Sequence, residues 1–577
     1  MHSTMQDIPL SLTRILKYGA SVHADTKITT WVESDEPAES TFRTVAGRAG
    51  AFANALRDEF GITSGDRVAT LLFNCTEHLE IMWAVPCMGA VFHPLNIYLM
   101  AEQIEYTINH AQDRVIIASE QTAPLLARLL PNCPSIEAVI LLGVGQLQAS
   151  TTEMLGGIKL HYYEALLDGR STQYPWPELP ENSPAAICYS TGTTGSPKAV
   201  VYSHRSLYLQ SMQLHATDSF ALTGAESFLC GVPIYHVLSW GVPYAAFLAG
   251  TPLIFTSGKV SAAVLAEVIA TLHPRMAHGV PSVWMELLVH YLHNPPQRMS
   301  LAEIFVGGAA APPILISMWE ERYGVDVLQV WGMTETGSAV TVARPSAGIS
   351  GEARRLYRES QGRFSAHVEY RVVNDGEVQA NSDRNQGEIQ LRGNTVTGSY
   401  YHPEANSTAE TRTATYQGVA ANDAESNIEL FTPDGWLRTG DVGTVNADGF
   451  LTIHDRALDV IRSGGEWIYS AQIENLIMEA PEVVEAATIG YPSVKWGERP
   501  LAITVLHPGN EACAATAEAL RDRLQEFLPG WMLPEYWSFV ESIDKTSVGK
   551  FDKKELRKKL ARGKFEIIEL PGPGISG

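Results

Sequence analysis

The sequence predicts a layered α/β protein built from two or more domains. At 577 residues, the chain exceeds what one hydrophobic core usually supports. Patterns typical of strands also alternate with patterns typical of helices. From about Thr44 the apolar residues repeat on one helical face until Gly61, where we expect this helix to end. A strand at 68–73, a helix near 77–88 and strands at 115–117 and 138–142 then follow in order.

The later part of the chain predicts a small second α/β unit. A domain boundary is best placed at Asp455–Arg456, where a largely apolar strand gives way to a polar turn. Residues 473–508 and 515–539 carry the helix and strand patterns of this unit. Residues 401–432 contain few apolar side chains, which indicates a long surface excursion. After about Phe565 we expect a poorly ordered tail.

Composition disfavours several classes of function. The formal net charge of −22 disfavours nucleic acid or an anionic membrane as the main partner. The six cysteines are scattered without a CxxC pair, which indicates reduced thiols and no metal-ligand spacing. The N-terminus carries no secretion-signal pattern, and the most apolar stretch, 238–255, is interrupted by prolines and glycines. We therefore expect a cytoplasmic protein without an integral membrane segment.

The stretch YSTGTTGSPK, Tyr189 to Lys198, predicts a phosphate-binding loop between two strands. Its glycines permit close backbone approach to anionic oxygens, its hydroxyls can donate hydrogen bonds, and Lys198 supplies a positive charge. A P-loop kinase is disfavoured because Pro197 and Ala199 flank the lysine where that motif has Gly and Ser or Thr. The alternative is a mobile linker, which is uncommon between two apolar strands.

Further polar stretches carry groups that suit a nucleotide. VWGMTETG offers Trp331 as an aromatic surface for a purine and Glu335 as a magnesium ligand. Asp441, at the end of GWLRTGD, could accept hydrogen bonds from ribose hydroxyls, and Lys550 follows a glycine in KTSVGK. Taken singly, each has a structural alternative: a core tryptophan, a solvated carboxylate, a turn residue or a surface lysine.

The order of these motifs resembles the adenylate-forming superfamily of acyl-CoA synthetases, luciferases and peptide-synthetase adenylation domains. YSTGTTGSPK, WGMTETG, GEIQLRGNTVTGSYY, WLRTGD, DRALDVIRSGGEW and KTSVGK occur in the family's order between about residues 41 and 560. PIYHVLSWGVPY, HGVPSVW, VGGAAAPP and SGGEWIYS look closest to the bacterial type of fatty acyl-CoA synthetase.

The resemblance implies a reaction and an architecture. Such enzymes join a carboxylic acid to the α-phosphate of ATP with Mg²⁺, release pyrophosphate and pass the acyl group to a thiol such as that of CoA. A large multilayer N-terminal domain, 1–455, would bind nucleotide and acid. A small mobile α/β lid, 456–577, would carry the catalytic lysine and rotate between the two half-reactions.

The resemblance also implies a role for each matching residue. The catalytic residues would be Lys550, Thr334 and Glu335, with Glu335 and Ser190 near the metal. The nucleotide-binding residues would be Ser190, Thr191, Gly192, Thr193, Thr194, Gly195, Lys198, Gly308, Ala309, Gln329, Val330, Trp331, Gly332, Asp441 and Arg456. The acyl substrate would contact His236, Trp240, Gly279 and Gly307. The thiolation face would be formed by Gly464, Gly465 and Trp467, and the hinge by Leu458.

Two features bear on the substrate and the acceptor. Residues 307–311 are small and include no arginine or lysine, which favours an apolar acid, most readily a medium- or long-chain fatty acid, with aryl acids still open. Leu458 stands where the family usually has Asp or Lys, and Ala199 where it commonly has Gly. Transfer to an amine or a carrier protein therefore stays an alternative, as does a non-catalytic binding protein. A homodimer is left open.

Overall fold

The computed structural model describes residues 3–32, 36–143, 158–190, 196–258, 260–403, 430–464, 466–545 and 551–571. The chain divides into two compact units. The first contains Met1–Tyr370 and Leu391–Leu437, and the second contains Arg371–Gln390 and Arg438–Gly577. The α/β class is confirmed, whereas the predicted boundary at Asp455–Arg456 stays a prediction. Among the helices of the described residues, none is long and apolar enough to cross a membrane.

The helices of the first unit are α1 (Leu12–Val22), α2 (Phe42–Phe60), α3 (Thr76–Cys87), α4 (Ala101–Ala111), α5 (Ala123–Leu129), α6 (Tyr163–Leu167), α7 (His204–His215), α8 (Val242–Ala249), α9 (Ala262–Leu272), α10 (Pro281–His293), α11 (Pro313–Tyr323) and α12 (Gly351–Glu359). Helix α2 begins after Thr41, whose side chain accepts a hydrogen bond from the Thr44 amide. It ends at Gly61, which adopts a left-handed φ of 60° and caps the helix as predicted.

The strands of the first unit are β1 (Lys27–Trp31), β2 (Ala38–Thr41), β3 (Arg67–Leu71), β4 (Val91–Pro94), β5 (Val115–Ser119), β6 (Ala138–Leu142), β7 (Lys159–Tyr162), β8 (Pro184–Ser190), β9 (Lys198–Ser203), β10 (Phe228–Cys230), β11 (Leu253–Thr256), β12 (Met276–Gly279), β13 (Glu303–Gly307), β14 (Asp326–Met333), β15 (Ser338–Val342) and β16 (Gly362–Phe364). They form one sheet in the order β7-β6-β5-β3-β4-β8-β9 and a second containing β16-β15-β14-β13-β12-β10-β11-β1-β2. Strands β10, β12, β13 and β14 are mutually parallel. The loops after them therefore gather at one sheet edge, where α/β proteins bind their ligands.

A buried core joins these layers. Phe42 of α2 stacks on Phe247 of α8 with ring centroids 3.9 Å apart, and Trp83 of α3 packs 4.7 Å from the same Phe247 ring. The stretch 238–255 supplies much of this core, since Leu238, Tyr244 and Phe255 are fully buried. It forms an interior wall, as its prolines and glycines indicate.

Strands β17 (Val368–Asn374), β19 (Ser382–Gly393) and β20 (Leu437–Val445) each have residues in both units. The other elements of the second unit are β18 (Glu377–Gln379), β21 (Phe450–Arg456), β22 (Ile461–Ser463), β23 (Glu466–Ile468), α13 (Ser470–Met478), β24 (Val483–Ser493), β25 (Gly497–Leu506), α14 (Ala514–Leu524), β26 (Tyr536–Phe539), α15 (Lys553–Ala561) and β27 (Ile568–Glu569). Strands β23-β22-β25-β26-β27 form one sheet, and β24 pairs with β25. The expected tail after Phe565 is wrong for residues 568–569, because β27 pairs there with β26.

Candidate active site

The hairpin of β8 and β9 carries the predicted phosphate-binding loop. Ser190 ends β8 and lies directly opposite Lys198, the first residue of β9, in the antiparallel register. The hairpin is therefore as predicted, and it places a hydroxyl and an ammonium at the two bases of the loop. Thr191, Gly192, Thr193, Thr194 and Gly195 lie outside the described residues.

A buried tyrosine connects Lys198 with Glu335. The Lys198 Nζ lies 5.0 Å from the centroid of the Tyr400 ring, within cation–π distance. The Tyr400 hydroxyl donates a 2.6 Å hydrogen bond to Glu335 Oε1. Tyr400 is 8% and Glu335 4% exposed, so both groups of this hydrogen bond are largely shielded from water. We call these three residues the Lys198–Tyr400–Glu335 cluster. Tyr400 was missed from the sequence, although it lies in the quoted motif GEIQLRGNTVTGSYY.

Thr334 and Glu335 occupy a short 3-10 turn between β14 and β15. The Thr336 hydroxyl stabilises this turn by accepting from the Met333 amide at 3.0 Å and donating to the Met333 carbonyl at 3.0 Å. The Tyr202 hydroxyl donates a 2.7 Å hydrogen bond to the Thr334 carbonyl. Both predicted catalytic residues of this motif are therefore held on a fixed backbone.

The donor groups here fit a magnesium ion. Mg²⁺ prefers oxygen ligands and is usually held by one or two carboxylates together with substrate phosphates. The buried Glu335 carboxylate provides such oxygens, and Ser190 at the base of the loop adds a hydroxyl. Glu335 and Ser190 would be the residues to hold the ion.

Trp331 and its neighbours form a half-buried wall. Trp331 on β14 contacts Phe364 edge to face, with ring centroids 6.1 Å apart. The register shifts between Trp331 and Gly332. A Cβ at Gly332 would lie 1.5 Å from the Ser338 carbonyl oxygen, so this position requires glycine. Trp331 is not a fully buried core residue, which is consistent with a surface for a purine.

The other predicted nucleotide residues of the first unit differ in exposure. Gly308, with a φ of 80°, and Ala309 are exposed after β13, whereas Val330 is buried. Gln329 is also buried, and its Oε1 accepts from the Ala311 amide at 2.9 Å while its Nε2 donates to the Glu359 carbonyl at 2.6 Å. The Gln329 side chain therefore holds the loop that contains Ala309.

The predicted acyl segment adopts a left-handed turn. Val237, Leu238, Ser239 and Trp240 have φ values between 47° and 59°, and Gly241 continues at 79°. Such a backbone costs roughly 1–2 kcal/mol for each non-glycine residue. The turn is held in part by the Ser239 hydroxyl, which donates a 2.7 Å hydrogen bond to the Val232 carbonyl.

This turn brings Trp240 against the ends of two strands. A Cβ at Gly307 would lie 3.0 Å from the Trp240 ring, and Trp240 packs 5.1 Å from the ring of His278. Burial lowers the pKa of the half-buried His236 to about 4, so its imidazole is neutral near pH 7. Gly279 lies beneath Trp284, because a Cβ there would be 2.8 Å from Trp284 Nε1. The structure thus places Trp240, Gly307 and Gly279 among aromatic rings.

His278 is a further buried residue of this region that the sequence did not reveal. The Val232 amide donates to its Nδ1 at 3.3 Å, and its Nε2 lies 3.1 Å from the Ser239 carbonyl. Nδ1 is therefore the acceptor and Nε2 carries the proton. Burial lowers the pKa of His278 to about 4.

In the second unit, Asp441 and Arg456 face each other across β20 and β21. Their register is direct, and Arg456 Nε lies 2.8 Å from Asp441 Oδ1. Asp441 is 4% exposed, and its amide donates a 3.1 Å hydrogen bond to the Thr439 hydroxyl. The sequence therefore predicted two residues that do form a pair.

The predicted thiolation residues lie at the β22–β23 turn. Gly464 has a φ of 62°, and a Cβ there would lie 2.8 Å from the Trp496 ring. Trp467 stands opposite Arg462 on the paired strand. The predicted hinge residue Leu458 is 76% exposed. Gly465 lies outside the described residues.

Lys550 also lies outside the described residues. Lys553, three residues later, takes part in a buried ionic network. Lys553, which begins α15, lies 2.7 Å from Glu474 Oε1 and donates a 2.6 Å hydrogen bond to the Ser470 hydroxyl. Asp455 accepts from the Ser470 amide at 2.6 Å. Burial opposes the ammonium charge, but Glu474 and Asp455 raise the pKa of Lys553, so it stays charged. We call these four residues the Lys553 network.

The fold and these groups define a class of enzyme. Residues 17–401 match the family model of the AMP-binding enzyme, and residues 472–550 match that of the AMP-binding enzyme C-terminal domain. The chain belongs to the AMP-binding enzyme family, within the adenylate-forming superfamily, as its motifs predict.

Individual relatives cover almost the whole chain. The medium-chain-fatty-acid–CoA ligase of Ectopseudomonas oleovorans is 35% identical over 97% of this chain and 98% of its own length. The long-chain-fatty-acid–CoA ligase of Thermus thermophilus is 35% identical over 96% of both chains. The crystal structure of the anthranilate CoA ligase AuaEII in complex with anthranoyl-AMP shares the fold, with a TM-score of 0.79 at 23% identity, covering 97% of this chain and 100% of that one.

The predicted enzyme class is confirmed: the chain is an AMP-forming acid–thiol ligase. ATP and CoA are the co-substrates that the family implies.

Proposed function

We propose that the chain activates a medium- or long-chain fatty acid with ATP and Mg²⁺ and transfers the acyl group to CoA. The observation that carries this choice of acid is the aromatic and glycine-lined region around Trp240, where His236 is neutral at pH 7. A neutral, apolar region suits a hydrocarbon chain and disfavours a second carboxylate. The two fatty-acid ligases at 35% identity support the same choice.

In the first half-reaction, a carboxylate oxygen of the acid attacks the α-phosphorus of ATP. A bond forms between that oxygen and phosphorus, and the bond from phosphorus to the bridging oxygen breaks, so pyrophosphate leaves with its electron pair. No proton transfer is required. In the second, the sulfur of CoA attacks the acyl carbon, the thiol proton passes to solvent and AMP leaves.

The residues of the chain meet the electrostatic need of the first step. Two anions must approach each other, so negative charge has to be stabilised by fixed positive groups. We assign phosphate binding to Lys198 and Ser190, ribose binding to Asp441 beside Arg456, and stabilisation of the reacting carboxylate and α-phosphate to Lys550. Bound through Glu335 and the phosphates, Mg²⁺ would neutralise part of the phosphate charge.

We also propose the division into domains 1–455 and 456–577, with Leu458 as the hinge between the half-reactions. The thiol would approach past Gly464 and Trp467. Packing of the Leu458 side chain, which is 76% exposed, would not oppose a change in its backbone angles, but the 2.9 Å hydrogen bond that its carbonyl accepts from Arg557 would have to break.

The test is pyrophosphate release with ATP, Mg²⁺ and a series of acids from acetate to palmitate, with benzoate and malonate as controls and with or without CoA. We expect release that depends on fatty acids and accelerates with CoA, and AMP rather than ADP as the product. Preference for malonate or benzoate would refute the fatty-acid assignment. A rate of pyrophosphate release that is unchanged by CoA but increases with amines would refute CoA as the proposed acceptor.

A further inference from the structure

Tyr400 contacts both charged residues at the centre of the candidate site. Its ring lies under the Lys198 ammonium, with 5.0 Å from Nζ to the centroid, and its hydroxyl donates to Glu335 Oε1 at 2.6 Å. The Tyr400 side chain thus contacts both Lys198, the proposed phosphate-binding cation, and Glu335, the proposed metal-binding carboxylate.

The hydrogen bond fixes the direction of the Glu335 carboxylate. A hydrogen bond between a hydroxyl and an ionised carboxylate is short and roughly twice as strong as a neutral one. A tyrosine hydroxyl carries its proton near neutral pH, so Tyr400 is the donor of this hydrogen bond and the carboxylate is the acceptor. With Oε1 engaged, the carboxylate cannot rotate freely, and Oε2 is held in one direction for a metal ion.

The backbone around Tyr400 is attached to both partners. The Thr397 amide donates a 2.7 Å hydrogen bond to the Glu335 carbonyl, and the Tyr401 amide donates a 2.9 Å hydrogen bond to the Ala199 carbonyl, next to Lys198. Segment 397–401 therefore connects the turn of Glu335 with the first residues of β9. The position of the Tyr400 ring depends on both attachments.

The ring also affects how the two charges interact. Among the described residues, Lys198 and Glu335 do not form a direct ion pair, and each instead contacts Tyr400. A direct pair would partly neutralise both groups before the nucleotide arrives. Contact with an aromatic ring retains the lysine charge, because it involves no opposing charge.

We propose that Tyr400 is a positioning residue for adenylation: its hydroxyl orients Glu335 for the metal–nucleotide complex, and its ring keeps Lys198 apart from Glu335 for the phosphates. This inference rests on the proposed function and deepens it, since it assigns to Tyr400 the positioning of Lys198 and Glu335, the two groups proposed to contact Mg·ATP.

The test compares Tyr400→Phe, Tyr400→Leu and the control Tyr401→Phe in the full chain. Tyr401 is adjacent, and its side chain packs near His110 rather than on the cluster. Calorimetric binding of Mg·ATP and of ATP in EDTA gives a readout independent of turnover. We expect Tyr400→Phe to weaken Mg·ATP binding about tenfold and raise the Mg²⁺ concentration for half-maximal pyrophosphate release, with the KM for acid unchanged. Binding of ATP in EDTA should change little in Tyr400→Phe and weaken in Tyr400→Leu.

Wild-type Mg·ATP affinity and Mg²⁺ dependence in a folded Tyr400→Phe variant would overturn the proposal, as would an equal effect of Tyr401→Phe. Thermal unfolding of each variant verifies folding, and the Phe substitution keeps the ring if the Leu variant is unstable. A wild-type protein that binds Mg·ATP through Tyr400 but activates no acid would contradict the proposed function and leave the role of Tyr400 supported.

Discussion

Removal of one partner from the Lys553–Glu474 pair should locally destabilise the second unit. The two side chains are 11% and 9% exposed and lie 2.7 Å apart. Removing one member of a buried ion pair typically costs about 3–5 kcal/mol, because the other charge stays buried and unpaired. In Glu474→Gln, Lys553 keeps its hydrogen bond to the Ser470 hydroxyl and can donate to the new amide oxygen. We therefore expect the lower end, about 3 kcal/mol.

Hydrogen exchange followed by mass spectrometry can measure this effect in the full chain. A loss of about 3 kcal/mol corresponds to roughly 100-fold faster exchange through local opening. The acceleration should appear in peptides from α13 and α15 and be absent from α2 in the first unit. Glu479→Gln is the matched control, since Glu479 follows the same helix but is exposed.

A double variant separates the ion pair from general packing effects. Replacing Lys553 by Met in the Glu474→Gln background removes the unpaired charge and should recover most of the lost protection. Unchanged exchange in Glu474→Gln would refute the reasoning. The reasoning would also be refuted if the loss of exchange protection in the double variant equalled the sum of the losses in Glu474→Gln and Lys553→Met measured separately, since independent sites are additive.

Three other outcomes follow from the structure. Asp441→Asn removes the charge facing Arg456 and should raise the KM for ATP at least tenfold, whereas the exposed Asp448→Asn should not; equal KM values in pyrophosphate-release assays would exclude the ribose assignment. Gly307→Ala places a methyl group 2.7 Å from the Val330 carbonyl oxygen and 3.0 Å from Trp240, so the ratio of kcat/KM for palmitate to that for butyrate should fall about tenfold, and an unchanged ratio would place the acyl chain elsewhere. The folded pKa of His278 is about 4, below its unfolded value of about 6.5. Between these two pH values the unfolded chain binds a proton that the folded chain does not, so the free energy of unfolding should fall as the pH falls, by up to about 1.4 kcal/mol per pH unit. His278→Gln should reduce this slope in urea unfolding between pH 7 and 5, and an unchanged slope would contradict the assignment.

Much of the fold could be predicted because local patterns determine it. Helix α2 combines a periodic apolar face with a polar residue before it and Gly61 after it, and each signal agrees with the others. The phosphate hairpin was predictable for the same reason, since two apolar strands flank a Gly- and Thr-rich loop. The pairing of Asp441 with Arg456 follows from motif order and is formed by adjacent strands.

The remaining features depend on contacts between distant residues. Tyr400 reaches Glu335, 65 positions away, and nothing in GSYY distinguishes it from Tyr401. Lys553 reaches Ser470, 83 positions away, and the sequence around it resembles an ordinary basic helix. The short strand at 568–569 needs β26 as a partner before it can form. Local propensity cannot reveal such contacts, because the partner is absent from any short window.

In the acyl site proposed above, the left-handed turn at 237–241 would also limit how the acid preference can be altered. Its four non-glycine residues occupy a backbone region that few side chains tolerate, and Leu238 and Trp240 are buried as well. Glycine or asparagine would relax the backbone at the expense of packing, whereas β-branched replacements at 238–240 would add strain. Engineering for another acid should therefore begin at the ends of β12 and β13, where Gly279 and Gly307 have negative φ and adjoin the rings of Trp284 and Trp240. Gly279 is the better starting point of the two, because the three atoms nearest to a new Cβ there all belong to the Trp284 side chain, whereas a Cβ at Gly307 would lie 2.7 Å from the Val330 carbonyl oxygen. Substitutions at Gly279, paired with a smaller residue at 284, would change the volume of the region without touching the turn.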